Sequence, residues 1–389
     1  MRVLLAPDRF AGTLSATEAG EAMRTGWLAG AAHDEVDVLP LSDGGEGLLD
    51  VLTAALGGEL LALTVRDPLG TPVPAAVLVV DEAPGRPRTA WVETAQALGP
   101  HLVGAGHRRP DLLSSAGVGD LLAAAVDTGA RRVVVGVGAS AVHDAGAGLL
   151  AALGAGRPER LGRGGLALGD VTADDLGGLD DAVRRLAGTE LVLATAADLP
   201  LLGLQGTSAT EAEERGATPA QAQELERAFG HLADLVRRAR PARTDLLTGA
   251  ALRPEKAPGA GAGGGVGWAL HVLGARYADG AALVADELGL PARVAAADLV
   301  VTGEGSFGWR SLRGRVVSHV AQAALAAGVP SIVLAGQVSV GRREAMAAGL
   351  SGTYAVAERP RDLAATLADP ARSLTVRAAR VAGTWSPGS

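Results

Sequence analysis

Val3-Leu4-Leu5-Ala6-Pro7-Asp8-Arg9-Phe10, followed after a short loop by Ser15-Ala16-Thr17-Glu18, decides the fold. The apolar run is brief and ends on Pro-Asp, which reads as a buried strand rather than a helix. Ser15 and Glu18 make a capping box that opens an alanine-rich helix toward Trp27. The same grammar then repeats. Val36-Asp37-Val38-Leu39-Pro40-Leu41 reads as a second strand, running into Ser42-Asp43-Gly44-Gly45-Glu46-Gly47 and a helix through Leu56 that Gly57-Gly58 stops. Strand, helix, strand, helix is the signature of a parallel sheet.

Working outward, the pattern shifts near Leu60 to shorter runs, Leu61–Val65 and Ala75–Val80, parted by turn residues. A helix from Val118 to Thr128, a buried strand Arg132–Val137 and a helix ending at Leu153-Gly154 follow. Thr218-Pro219-Ala220-Gln221 supplies an N-cap, a first-turn proline and a capping-box glutamine for a helix to about Arg240. Beyond the glycine run 259–267 the strand-loop-helix style of the N-terminus returns, in Asp298–Gly305 and Ser331–Gly336. The expected fold is therefore α/β with two α/β domains. One is a Rossmann/flavodoxin-like parallel sheet formed by both chain ends (1–60 plus 276–389). The second is inserted in the middle (61–275), and the site is expected in the cleft between them.

Composition sets the classes to exclude. At 389 residues, 48% hydrophobic and 20% charged, the chain can bury large cores and is too long for a single one of usual size. Aromatics are 3% and the net charge is −8, so stacking platforms and a basic face for nucleic acid are both lacking. Cysteine is absent, which removes disulfides, thiolate metal sites and a cysteine nucleophile. No apolar run of about 20 residues is present and the apolar start is too short for a signal peptide, so a cytoplasmic protein without membrane contact is expected.

Open parallel sheets bind ligands beyond the carboxyl ends of their strands. Asp8 and Asp43 each follow a predicted strand, and Glu46 and Glu304 lie in glycine-rich loops. An acid in such a place can hold a ligand hydroxyl or Mg²⁺, act as a base, or simply cap the next helix. The loop Gly136–Gly148 follows a strand and opens a helix, as an anion cradle should, although glycines spaced this way also serve packing alone. The run 259–267 reads either as a linker or as the feed to a helix N-terminus. No G-x-x-x-x-G-K-[ST] occurs, which excludes the P-loop class, and Gly138-Ala139-Ser140-Ala141-Val142 breaks the nucleophile-elbow pattern of hydrolases. The histidines show no metal-ligand spacing.

Taken in order, these segments resemble the type 1 glycerate kinase family. Pro7-Asp8-Arg9-Phe10-Ala11-Gly12-Thr13-Leu14-Ser15-Ala16 is similar to its P-D-S-F-K-G-S-L-S-A opening, and Leu41–Gly47 to its L-A-D-G-G-E-G. Gly136–Gly148 is similar to its G-x-G-G-S-A-T-N-D-G-G-A-G loop, Gly259–Gly267 to its G-A-G-A-A-G-G-x-G run, and Thr302–Gly305 to its T-G-E-G. The departures are Ala11 for the family lysine, Gly308-Trp309-Arg310-Ser311 for D-x-Q-T, Arg315 for the lysine after Gly314, and His143 for the asparagine before Asp144. The stretches at Ala196–Leu201 and Glu211–Ala217 also differ.

The resemblance implies transfer of the ATP γ-phosphoryl group, with Mg²⁺, to a hydroxyl of D-glycerate or a related small hydroxy acid. Asp8, Asp43 and Asp198 are expected in catalysis. Arg9, Glu46, Gly138, Ser140, Asp144, Gly263, Gly265, Glu304, Arg310 and Arg315 are expected to bind substrate or phosphate. No protein-only metal cluster is expected, Mg²⁺ being reached through Asp43, and the partners are a hydroxy acid and a nucleotide. The departures leave a second reading open, a degenerate paralogue that binds an anion or a partner without turnover.

Overall fold

In a computed structural model the described residues are 1–387 apart from 105–106, 108, 110, 241–248 and 250–251. In chain order the strands are β1 Arg2–Pro7, β2 Glu35–Val38, β3 Glu59–Arg66, β4 Pro72–Val80, β5 Thr89–Glu93, β6 Arg132–Gly136 and β7 Glu190–Thr195. They continue as β8 Arg276–Asp279, β9 Leu299–Gly303, β10 Ser306–Phe307, β11 Ser331–Ala335, β12 Gln337–Val338 and β13 Gly352–Ala355. The chain divides into two compact units. One comprises Met1–Asp43, Asp50–Leu56 and Asp279–Ser389, the other Gly44–Leu49 and Gly57–Ala278.

The first unit is built on a parallel sheet in the order β13-β11-β9-β1-β2, so both chain ends share one sheet. Growth of this sheet runs from β1 outward to β2, then returns to the other side of β1 for β9, β11 and β13. The reversal falls between β1 and β9, the topological switch point of a flavodoxin-type order. Apolar residues of β1, such as Val3 and Leu5, pack on Met23 and Trp27 of the helix Ala16–Gly30 and on Leu374 and Val381 of the helix Pro370–Trp385. The capping box forms as its residues predict: Glu18 N–H donates to Ser15 Oγ at 3.1 Å and the Glu18 carboxylate accepts from Ser15 N–H at 2.8 Å. Close approach of the two helices depends on glycine. A Cβ on Gly26 or Gly30 would lie 2.2 Å from the carbonyl oxygen of Thr375 or Ala379.

The second unit carries a mixed sheet in the order β3-β4-β5-β6-β7-β8. The short alternating runs pair antiparallel as β3, β4 and β5, and β5, β6 and β7 run parallel. Every residue of β6 is buried. The helix Pro219–Ala239 starts at the predicted cap, with Gln221 N–H donating to Thr218 Oγ1 at 3.2 Å, and buries Leu225, Phe229, Leu232 and Val236 on one face. Gly129 (φ 72°) follows the helix Ala116–Asp127, as its place in the sequence suggests. Among the described residues no helix is long and apolar enough to cross a membrane.

Candidate functional site

The switch point of the first unit gathers the predicted acids. Asp8 follows β1, Asp43 lies beyond β2, and Glu304 follows β9, so three carboxylates stand at the carboxyl ends of adjacent strands. Backbone pairing carries this order past the strands themselves: Asp8 N–H donates to Gly303 O at 2.8 Å and Leu41 N–H to Pro7 O at 2.9 Å. The Phe10–Leu14 turn closes on itself through Phe10 N–H to Leu14 O (2.8 Å) and Thr13 Oγ1 to Phe10 O (2.8 Å). Glycine lets the neighbouring loops settle, because a Cβ on Gly303 would meet Leu334 O at 2.3 Å.

Concentrated negative charge perturbs these groups. Burial pushes the Asp8 carboxyl well above the usual carboxylate range, the facing Asp43 pushes it further and Glu304 adds to the effect. The Arg9 N–H, donating to Asp8 Oδ1 at 2.7 Å, works the other way. Glu304 is pushed up to about 7, mainly by burial and in part by Asp43, against the stabilising Ser311 hydroxyl and Arg315 charge. Its Oε1 is buried and has no hydrogen-bond partner among the described residues. The main counter-charge is Arg315, whose Nη1 lies 2.5 Å from Asp43 Oδ2. Burial opposes the charge on Arg315, but Asp43, Asp8 and Glu304 more than offset that and raise its pKa. Arg315 sits just before the helix Val316–Ala327, with its N–H donating to Ser318 Oγ at 3.1 Å. Arg310, on the short turn Trp309–Leu312 of the same unit, is exposed.

The residues predicted in the second unit fall into two groups. Glu46 and Asp198 are exposed, in the loops ahead of the helix Leu48–Leu56 and beyond β7, and Gly138 is half-buried beyond β6. Ser140, Asp144, Gly263 and Gly265 are buried. The Asp144 carboxylate is saturated by the N–H and hydroxyl of Ser115 (2.8 and 2.9 Å) and by the N–H groups of Gly146 (2.9 Å) and Gly148 (3.1 Å). Burial still raises its pKa, with those donors acting against the rise. Asp144 thus ties the start of one helix to another and has no accessible oxygen to offer a ligand. Ser140 Oγ likewise accepts from Val142 N–H at 3.0 Å.

Close packing also accounts for the glycine runs. Gly263, Gly264 and Gly265 all have positive φ (63°, 71° and 98°), and Cβ atoms on them would strike Val137, Val142 O and Ala145 at 2.8, 2.1 and 2.5 Å. The run is therefore neither a linker nor demonstrably a cradle: it is the surface on which the 137–145 loop rests. Gly136 and Gly138 do the same for the 44–46 loop, with Gly44 O and Gly45 Cα at 2.4 and 2.6 Å from a Cβ placed there. His143 is buried, stacks on Phe229 (5.0 Å, 28°) and bonds Ser208 through Nε2 at 3.0 Å.

Two positioning residues escaped the sequence reading. Buried Glu93, at the end of β5, accepts from Gly47 N–H and Leu49 N–H, both at 3.1 Å, and so orders the Asp-Gly-Gly-Glu-Gly loop at the head of its helix. Ser115 is the partner of Asp144. An acid ending a buried strand was the available signal for Glu93; Ser115 carried none.

Among the described residues no three acidic or histidine side chains are close enough to hold a metal ion by themselves. The Glu304 oxygen without a partner among the described residues and the neighbouring carboxyl groups of Asp8 and Asp43 nevertheless suit a cation that takes one or two carboxylates and completes its shell from a ligand, as Mg²⁺ does.

Residues 3–386 match the model of the glycerate kinase family. The chain is 41% identical to an uncharacterized protein of Mycobacterium bovis, over 98% of this chain and 91% of that one. It is 36% identical to the glycerate kinase of Bacillus subtilis (87% of this chain, 86% of that one) and 33% identical to the glycerate 2-kinase of Escherichia coli, at the same coverages. A crystal structure titled as a putative glycerate kinase 2 from Salmonella typhimurium superimposes with a TM-score of 0.77, at 32% identity, covering 99% of this chain and 98% of that one. None of these likenesses supports a catalytically silent paralogue. With the fold agreeing over its length and the acids standing at the switch point, the chain belongs to the glycerate kinase family.

Proposed function

We propose that the protein transfers the γ-phosphoryl group of ATP to a hydroxyl of D-glycerate, forming ADP and a phosphoglycerate. The observation that carries this reading is the convergence of Asp8, Asp43 and Glu304 at the β1/β9 switch point, opposed by Arg315. Phosphoryl transfer asks the protein chiefly for positioning and charge neutralisation, plus a group that takes the hydroxyl proton. Asp8 suits the last task. Its burial and its acidic neighbours make its carboxylate a stronger base than a solvated one, so it accepts the proton of the attacking hydroxyl as the new P–O bond forms and the bond to ADP breaks.

Asp43, with Glu304 beside it, would hold Mg²⁺, which when bound neutralises phosphate oxygens. Arg315 holds Asp43 oriented through their contact, and together with Arg9 and Arg310 it supplies positive charge for phosphate and carboxylate. The test is ADP release with Mg-ATP and D-glycerate, with the product identified by ³¹P NMR. Glycerate-dependent release that Asp8→Asn lowers by about 10²-fold or more is expected. The reading fails if wild-type protein releases no ADP above the rate without glycerate.

A further inference from the structure

Beside the acids, the first unit holds a cavity of about 230 Å³ at the carboxyl ends of its strands. Ala11 after β1, Gly305 after β9 and Gln337 after β11 form one side. Val356 after β13, with Leu363 and Leu367 of the helix Leu363–Ala368, forms the other. Among the described residues no charged side chain lines it. Its uncharged character depends on Ala11, since the family pattern given above places a lysine there. The hydroxyls of Thr13 and Thr366 are spent on the carbonyls of Phe10 and Asp362. Gln337 differs. Its backbone is fixed by donation to Gly305 O at 3.0 Å, while its carboxamide has no partner among the described residues. The helix that supplies the two leucines buries none of its residues, and Leu367 remains 53% exposed.

A flat, uncharged ligand with donors and acceptors along one edge meets these conditions. Aliphatic side chains cover its faces, and a free carboxamide can give and take a hydrogen bond at once, as glutamine does with the amino group and ring nitrogen of adenine. The volume is below the roughly 300 Å³ at which pockets begin to enclose a whole drug-sized ligand, so it holds one moiety rather than an entire nucleotide. Gly305 in its wall is next in the chain to Glu304, which places the rest of such a ligand beside the acids. We infer that this cavity seats the adenine base of the nucleotide, with Gln337 reading its amino edge. The inference rests on the phosphotransfer reading and assigns a base subsite within it.

The test is calorimetric titration of the wild type, Gln337→Leu and Leu367→Asp with Mg-ATP, adenosine and inorganic tripolyphosphate. Both positions are exposed, so the variants should fold. Each substitution is expected to weaken ATP and adenosine by about tenfold and leave tripolyphosphate within about twofold. The assignment is overturned if both variants bind ATP within about twofold of wild type, or if tripolyphosphate weakens as much as ATP. Failure of the kinase reading is separate: it appears as adenosine binding that the variants weaken, without any glycerate-dependent ADP release.

Discussion

Arg315 Nη1 stands 2.5 Å from Asp43 Oδ2 and so brings a cation against the acids beyond β1, β2 and β9. Its partners on the acidic side outnumber it. Removing the guanidinium leaves Asp8, Asp43 and Glu304 to repel one another, so protons bind more tightly. Arg315→Gln is expected to lower kcat/KM by about 10²-fold, as loss of a charge-stabilising contact does. The pKa governing the acidic limb of the rate profile should move upward from its wild-type value. An unchanged profile would place Arg315 outside the reacting centre.

Glu304 makes stability depend on pH in a predictable direction. Its carboxyl is at about 7 in the folded protein, against an ordinary value of 4.5. Between those values the folded state binds more protons than the unfolded one, so this group's stabilising contribution is present in full below about 4.5 and is lost as pH rises through 7. Glu304→Gln mimics the protonated form. It should match wild type at pH 4.5 and exceed it at pH 8 by of order 2–3 kcal/mol, measured by urea unfolding at the two pH values.

What the sequence revealed and concealed follows from how local each signal is. The capping boxes at Ser15 and Thr218, Asp8 at the end of β1 and the return of strand-loop-helix units after residue 276 are all short-range patterns, and each appears in the structure where it was read, whereas β2 ends at Val38 rather than Leu41 and leaves Asp43 in the loop beyond it. The burial of Asp144 was not legible, because its donors come partly from Ser115, far away in the chain. Strand-end glycines looked the same whether they served a ligand or a neighbouring backbone, and only the close contacts at Gly263–Gly265 separate the two. The cavity of about 230 Å³ depends on Gln337 and Leu367, which no motif marks.

His143 should make the protein sensitive to acid. Burial, and after it the charge of Arg215, hold its imidazole well below the ordinary value of 6.5, and its Nδ1 is buried without a partner among the described residues. Here the unfolded state binds the extra proton, so the stability of the neutral form is complete above about 6.5 and declines as pH falls below it. His143→Asn, which restores the residue type of the family pattern, has no such proton to take up. Its melting temperature should fall less between pH 7.5 and 5 than that of wild type, even though loss of the Phe229 stack lowers it at pH 7.5. Equal declines in the two proteins would mean that another group sets the acid limb.

Gly26 and Gly30 test the core of the first unit without touching the acids. Each faces the helix Pro370–Trp385 so closely that a methyl group would sit 2.2 Å from a carbonyl oxygen. The alanine variants gain helix propensity of under about 1 kcal/mol per site, but overpacking costs about 1–3 kcal/mol, and the cost wins because the obstacle is backbone rather than a flexible side chain. Gly26→Ala is expected to lower stability by about 1–2 kcal/mol in chemical denaturation while leaving KM for ATP unchanged in the folded fraction.

Asp144 separates a positioning role from a binding one. Its carboxylate takes four hydrogen bonds in a fully buried setting, two from Ser115 and one each from the N–H groups of Gly146 and Gly148. In Asp144→Asn one of its two oxygens becomes an NH₂ group facing donors, so at least one N–H loses its acceptor and the charge that strengthened the others is gone. Leaving a buried donor without its acceptor in such a network costs about 1–3 kcal/mol. If the residue only ties the two helices together, the variant should unfold earlier in urea, yet the folded fraction at low temperature should keep the wild-type KM for glycerate and ATP. A KM raised by more than about tenfold with stability retained would instead put Asp144 in contact with the ligand, against its complete burial here.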